Sequence, residues 1–211
     1  VTTGFPSLSR QGLSSISSIL LNTAAGAYGD AAIAGMTITT KIVMFIASIM
    51  IGVGQGFSPV SGYNFGAKRY DRVKQAYTFT LTAGFILMGS LATIIFIFAN
   101  QIMNAFINDL NVVKIGVAAL RWQVAFLPFH SLIIGTNMLM QSTRHIKSAT
   151  YLSMNRNGIY FIPAILILPR IIGLQGVEMA QFVADVLSAI TAVPFAIYFF
   201  KKMSNYNSEQ N

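Results

Sequence analysis

The chain has 211 residues, of which 54% are hydrophobic and only 9% are charged, and its mean hydropathy is +0.62. Soluble domains carry about 25% charged residues, so this composition leaves too little charge to cover a water-facing surface. The net charge of +8 would suit a nucleic-acid partner, but the basic residues lie at the ends of apolar runs rather than on one face. Since there is no cysteine, disulfides and thiolate metal sites are excluded.

Six apolar runs are long enough to cross a bilayer, which requires about 20 residues of helix. Because backbone groups inside a bilayer must hydrogen-bond to one another, each run predicts a helix. The predicted fold is therefore an all-α membrane protein with six transmembrane helices, followed by a polar cytoplasmic tail. The predicted unit covers residues 1–203, with spans at 6–27, 31–64, 73–99, 112–143, 148–168 and 176–200 and the tail at 204–211.

The first and second spans each carry a polar stripe at helical spacing, which marks a face directed at protein or water. The stripes consist of Gln11, Ser14, Ser15, Ser18 and Asn22, and of Thr37, Lys41, Met44, Ser48, Gly52 and Gln55. Lys41 lies about 15 Å into its helix, where an unpaired lysine costs about 3 kcal/mol. A hydrated cavity or a carboxylate partner is expected there. Helix packing is the favoured explanation of the serines, with ligand contact as the alternative, whereas Asn22, Lys41 and Gln55 are candidates for a substrate cleft.

The third and fifth spans are mostly apolar, but the fourth is polar on one face. Gln123, His130 and Asn137 recur there at steps of seven residues and complete the set of cleft candidates. Pro128 has no backbone N–H and should kink this span. Together with Gly135, one heptad further on, it forms a candidate hinge.

Two charged residues stand at similar depth in the fourth and sixth spans. Arg121 and Asp185 are each nine or ten residues into a helix that starts at the outer surface, which predicts an interhelical ion pair. A proton or cation relay through Asp185 is the alternative. A metal site cannot be assigned, because His130 and His145 are too far apart for a local metal motif.

The basic residues of the short loops indicate the orientation. With six spans both termini share a side, and nine basic residues fall on that side against two on the other, which makes both ends cytoplasmic. The nine are Arg10, Lys68, Arg69, Arg72, Lys74, Arg144, Lys147, Lys201 and Lys202, and the two are Lys114 and Arg170. Since no GxSxG, HExxH or P-loop motif occurs, neither an enzyme nor an ATP-driven pump is expected, and no cofactor is needed.

The end of the second span carries the most specific motif. From Gly54 to Val73 the sequence reads GQGFSPVSGYNFGAKRYDRV, which resembles the signature of the multidrug and toxic compound extrusion (MATE) family. The stretches Pro6–Gln11 and Arg156–Gly158, the latter leading to Pro163, are similar to the second half of that family. The bacterial branch with the DinF-like and MepA-like proteins is the most similar.

The resemblance implies one six-helix lobe of a twelve-helix transporter, here the C-terminal lobe, and an N-terminal lobe of the same transporter as its partner. Such proteins lie in the bacterial cytoplasmic membrane and expel organic, often cationic compounds by antiport with H+ or Na+. Val1 in place of a starting Met agrees with a piece of a longer chain. Sodium-coupled members carry a carboxylate on the helix similar to the first span, where this chain has Gln11, serines and Asn22, so the coupling ion stays open.

Two other functions are compatible with the sequence. A lipid-linked oligosaccharide flippase of the same superfamily would use cationic cavity residues, for which Lys41 and Arg121 are the candidates. A membrane scaffold that transports nothing would also be apolar and helical.

Overall fold

The computed structural model describes the backbone of residues 5–208 and the side chains of residues 8 and 10–203. This part of the chain is helical apart from short turns. A 3-10 turn (Leu127–Phe129) joins α4 to α5, and a π-helical turn (Asn155–Ile159) joins α6 to α7. The helices are α1 (Phe5–Gly26), α2 (Asp30–Gly66), α3 (Tyr70–Phe106), α4 (Leu110–Ala125), α5 (His130–Ser142), α6 (Ile146–Met154), α7 (Phe161–Ile172) and α8 (Leu174–Ser208).

The prediction of an all-helical membrane fold is confirmed, but the count of six spans is not. Within the described residues, α2, α3 and α8 are each long and apolar enough to cross a bilayer, and α4 with α5 qualifies as one bent span. Its serines and Gln11 make α1 too polar to qualify as a span by composition. The π turn leaves α6 and α7 with 9 and 12 residues, each too short to cross a bilayer alone. The structure thus supports three or four membrane spans, and six stays a prediction. The predicted tail begins inside α8, and residues 209–211 lie outside the described part.

The fourth predicted span bends where proline interrupts it. The axes of the segments Leu110–Ala125 and Leu127–Ser142 meet at 43°. Pro128 is the second residue of the 3-10 turn between them, where a missing N–H removes a helical hydrogen bond. The predicted kink is therefore present.

Large apolar side chains cover the outside of the bundle. Phe45, Phe79 and Ile197 are 74%, 75% and 61% exposed, and many other aromatic and aliphatic residues of α2, α3, α7 and α8 are similarly uncovered. An apolar exterior of this extent would aggregate in water. It suits contact with lipid chains, for which no charge is needed.

Helices α2 and α4 cross at a pair of glycines. A Cβ at Gly35 would lie 3.1 Å from both the backbone nitrogen of Gly116 and the carbonyl oxygen of Val112. The hydroxyl of Thr39 donates to the carbonyl oxygen of Gly116 at 3.1 Å. Small residues and interhelical hydrogen bonds of this kind hold membrane helices together.

A cluster of small buried side chains joins α1, α2, α4, α7 and α8. It is built on alanines, with Phe161 as its largest member; the alanines are Ala25, Ala32, Ala119, Ala164, Ala180 and Ala184. Because alanine lets backbones approach closely, these five helices converge. The same five helices also contribute to the polar cleft described next.

Candidate functional site

A polar cleft of about 180 Å³ opens into the bundle between α1 and α2. Its floor is formed by α4, the π turn, α7 and α8. The lining residues are Arg10, Gln11, Ser14, Ser17, Ser18 and Leu21 on α1; Thr40, Val43, Met44, Ala47, Ser48 and Ile51 on α2; and Gln123, Arg156, Asn157, Phe161 and Gln181 elsewhere. One wall is polar and another apolar, so the cleft suits an amphipathic molecule.

The polar wall comes mainly from α1. Ser14 lies four residues after Arg10, and Ser17 and Ser18 lie three and four residues after Ser14, so one face of the helix carries them all. The hydroxyl of the buried Ser17 donates to the backbone carbonyl of Asn157, and that of Ser18 donates to the carbonyl of Ser14 at 2.9 Å. The first of these bonds ties α1 to the π turn.

The π turn brings a cation to the floor of the cleft. A π turn inserts an extra residue into a helix and rotates the side chains that follow it, and Arg156 stands in this one. The turn is held in place from outside, since the side-chain amide of Asn155 donates to the hydroxyl of Thr191 at 3.1 Å. Gly158 packs against Leu13 of α1, because a Cβ at this position would lie only 2.9 Å from a methyl carbon of Leu13.

Arg156 pairs with a buried carboxylate behind the floor. The carboxylate of Asp185, which is 1% exposed, accepts from Nε of Arg156 at 2.6 Å and from the amide of Gln181 at 3.0 Å. Its other oxygen lies 3.0 Å from Nε2 of His130. Buried charges are retained when they are paired and hydrogen-bonded in this way. The cluster ties α5, the π turn and α8 together.

The predicted ion pair between Arg121 and Asp185 is wrong. Arg121 is exposed, and its guanidinium lies over the ring of Phe96 on α3, 5.4 Å from the centroid. Gln123, two residues further on, faces the cleft, and two residues correspond to about 200° of rotation around a helix. Arg121 therefore points toward α3 and away from the cleft, although the sequence predicted a similar depth for Arg121 and Asp185.

The six cleft candidates separate into two groups. Gln123 lines the cleft, His130 lies behind its floor with Asp185, and Asn137 lines a second cavity of about 60 Å³. Asn22, Lys41 and Gln55 are exposed and do not line either cavity. Their contact with a substrate stays a prediction.

Lys41 and Gln55 nonetheless belong to a stripe that reaches the cleft. On α2 they share an exposed face with Met44 and Ser48, and Met44 and Ser48 also line the cleft. The face predicted from periodicity is therefore present on α2, with its middle at the cleft.

Asn137 is held by three hydrogen bonds. Its amide donates to the carbonyl of Ala149 and to the hydroxyl of Ser153, both at 2.8 Å, and its oxygen accepts from Gln141 at 2.5 Å. The two bonds that its amide donates join α5 to α6, and the third lies within α5; together they explain why an asparagine is buried there. Gly135 likewise has a packing role, since a Cβ would come within 2.9 Å of Leu81; a hinge at Pro128 and Gly135 stays a prediction.

Sequence reasoning missed the roles of two arginines. Arg10 was assigned only to the cytoplasmic end of a span, and Arg156 only to a family motif, yet both line both cavities. The polar run from Asn155 to Gly158 inside an apolar segment was the available signal. Among the described residues, no group of three or more His, Cys, Asp or Glu side chains could hold a metal ion.

The fold and the cleft together define a helical, multi-pass membrane protein with a polar recess in an apolar bundle. The chain belongs to the MatE family, whose model matches residues 6–166. The match confirms the resemblance noted at the end of the second span.

The similar proteins are longer than this chain. It is 24% identical over 190 residues to the multidrug export protein MepA of Staphylococcus saprophyticus, which covers 90% of the chain and 42% of that protein. Its fold matches the outward-facing conformation of a multidrug resistance MATE family transporter with a TM-score of 0.89 and 20% identity, over 96% of this chain and 46% of the other. The Vibrio cholerae MATE transporter VcmN, in a substituted form, matches with a TM-score of 0.87 and 16% identity over 94% and 46%. The chain thus spans less than half the length of the proteins it matches.

Proposed function

We propose that this chain forms the C-terminal, six-span half of a secondary antiporter that expels organic compounds from bacteria, driven by an H+ or Na+ gradient. The observation that carries the proposal is the cleft between α1 and α2, which places polar and apolar walls side by side inside an apolar bundle. A substrate that crosses a membrane needs such a recess, because its polar groups must be solvated by the protein when they leave water.

Eight helices form six spans if two pairs are counted as broken helices. In this reading α4 and α5 are the fourth span, and α6 with α7 is the fifth, interrupted by the π turn. Broken helices are tolerated in a membrane where they line a cavity, and Arg156 and Asn157 of the π turn line both cavities. The distribution of basic residues supports cytoplasmic termini in the bacterial cytoplasmic membrane.

A second lobe is needed to complete the passage. The chain covers 42% of the length of MepA, which leaves room for an N-terminal lobe of similar size. That lobe would face the exposed stripe of α2, where Lys41 and Gln55 would become buried beside it. Alternating access would then follow from rocking of one lobe against the other.

Asp185 and His130 are the candidate site for coupling to protons. They are the titratable side chains in hydrogen-bond contact behind the cleft floor, and Arg156 connects them to the cleft. A change in the charge of this cluster would alter the attachment of α8 to α5 and the π turn. The coupling ion itself stays open.

Lys41 and Arg121, on which the flippase alternative was based, do not line the cleft, but Arg10 and Arg156 do, so a flippase stays the second candidate. A scaffold would have no use for an open polar recess.

Gradient-driven transport by the full-length protein in proteoliposomes tests the proposal. We expect gradient-driven uptake of at least one of two xanthene dyes, cationic rhodamine 6G or anionic fluorescein, and no uptake of either without a proton or sodium gradient. Ser18→Phe should fill the cleft and reduce the initial rate about tenfold. Ser90→Phe is the matched control, because Ser90 is an exposed serine on α3 with the same bond to a preceding carbonyl. No gradient-driven uptake of either dye, or equal loss in both variants, would refute the proposal.

A further inference from the structure

The charges that line the cleft are positive. Arg10 and Arg156 line it, and no aspartate or glutamate is among the lining residues that the structure describes. Arg156 is neutralised from behind by Asp185, which is the only carboxylate in the described part of the chain that forms a salt bridge. Arg10 has no such partner among the described residues. The described residues that line the cleft therefore carry an excess of positive charge.

Gln123 adds an uncommitted hydrogen-bonding group to the same cleft. Its side chain is only 3% exposed, lines the cleft, and makes no side-chain hydrogen bond to another described residue. Its amide atoms are open to the cleft, since the fully buried polar atoms without a partner among the described residues are Nδ1 of His130 and Oδ1 of Asn155. An uncommitted amide that faces a recess is therefore ready to bind a ligand group.

Ser17 and Ser18 can contribute less to ligand binding than Arg10 and Gln123. The hydroxyl protons of Ser17 and Ser18 are already donated to backbone carbonyls, so these groups offer only lone pairs. Side-chain donors without a hydrogen bond to another described residue remain on Arg10, Gln11, Ser14, Gln123 and Asn157, and Arg10 is the charged one among them. Leu21, Met44 and Phe161 provide apolar surface in the same cleft.

We propose that this cleft binds the anionic end of an amphipathic organic molecule, with the guanidinium of Arg10 and the amide of Gln123 as donors and the apolar wall holding the hydrophobic part. This inference deepens the proposed function and rests on it for the transport of such a compound. A cationic compound would be repelled by Arg10, whereas a carboxylate or sulfonate would gain charge-assisted hydrogen bonds. The sequence resemblance alone pointed to substrates that are often cationic.

Equilibrium binding of two dyes to the full-length protein in detergent tests the inference. Fluorescein and rhodamine 6G share a xanthene ring system and differ in the sign of their charge, and fluorescence anisotropy reports the Kd of each. We expect the native protein to bind fluorescein more tightly. Arg10→Gln should weaken fluorescein binding about tenfold, since a hydrogen bond to a charged group is lost. Gln123→Leu should weaken it roughly threefold.

Charge variants separate an electrostatic role from a packing role. Arg10→Lys should retain most of the fluorescein affinity, and Arg10→Glu should reverse the preference in favour of rhodamine 6G. Arg170→Gln is the matched control, because Arg170 is exposed and lies outside the cleft. Size-exclusion profiles identify variants that fail to fold, and the reversal by Arg10→Glu cannot arise from misfolding. Tighter binding of rhodamine 6G by the native protein, or an unchanged fluorescein Kd in Arg10→Gln, would overturn the inference.

The source of the anion and the transport function are tested separately. Displacement of fluorescein by phosphatidylglycerol but not by phosphatidylcholine would assign the site to a lipid headgroup, and no displacement by either would assign it to soluble anions; both outcomes support an anion site. Because binding is measured without a gradient, fluorescein binding without gradient-driven uptake would refute only the antiport proposal. Uptake of dyes without Arg10-dependent binding would refute only the anion site.

Discussion

The pair of Arg156 and Asp185 predicts an asymmetry between two substitutions. Arg156→Gln removes the donor that lies 2.6 Å from Asp185 and leaves a carboxylate that is 1% exposed with His130 and Gln181 as its remaining partners. Breaking a buried pair in this direction costs about 3–5 kcal/mol. Asp185→Asn leaves a guanidinium that is 25% exposed and lines the cleft, where water can reach it. That change should cost only about 1–2 kcal/mol.

Thermal unfolding of the purified protein in one detergent measures both effects. For a chain of this size about 2–4 °C corresponds to 1 kcal/mol, so Arg156→Gln should lower the Tm by about 6–20 °C and Asp185→Asn by less than half of that. In the double variant the buried charge is gone, and most of the loss caused by Arg156→Gln should be recovered. Arg170→Gln, which removes an exposed arginine, should leave the Tm unchanged.

Two results would refute this reasoning. If Asp185→Asn were the more damaging change, the carboxylate would not be the group that suffers from burial. If the two single effects simply added in the double variant, the side chains would not be coupled.

Two further predictions concern packing and pH. Gly35→Ala should lower the free energy of unfolding by about 1–3 kcal/mol, because its Cβ meets the backbone of Gly116. Gly52→Ala, at an open helical position, should raise it by about 0.5–1 kcal/mol. If denaturation showed Gly35→Ala to be the more stable variant, the close contact between α2 and α4 would be contradicted. At the turn before α6, burial and then the charge of Lys202 lower the pKa of His145 below 6.5, so the unfolded chain binds the proton more readily. The stability contributed by neutral His145 should therefore be complete above pH 6.5 and should be lost as the pH falls through the lower pKa of the folded state. If the Tm dropped as much between pH 7.5 and 5.5 in His145→Gln as in the native protein, other groups would cause the loss.

Part of the candidate site was predictable from periodicity along single helices. Polar residues of the first and second spans and Gln123 of the fourth line the cleft, whereas His130 and Asn137, predicted on the same face as Gln123, lie behind the floor and in the second cavity. A face of a helix is a local property, because the backbone repeats every 3.6 residues whatever surrounds it. The same reasoning predicted the kink at Pro128, since a residue without an N–H interrupts a helix in any environment.

The partner of Asp185 was not predictable in this way. Equal depth in two helices placed Arg121 near it, but contact also depends on how each helix is rotated about its axis and which neighbours it has. The packing of α4 against α3 turned Arg121 toward Phe96, and a π turn, whose polar run does not indicate which residue it would contact, brought in Arg156.

By itself, the amino-acid sequence determined that this chain is helical and apolar enough for a membrane, because hydrocarbon excludes both charge and unpaired backbone. It also determined which helix faces are polar. The packing of the helices was needed to show which of those faces line a common cleft and which arginine pairs with the buried carboxylate. Those outcomes depend on the packing of residues far apart in the chain, and helical periodicity carries no information about it.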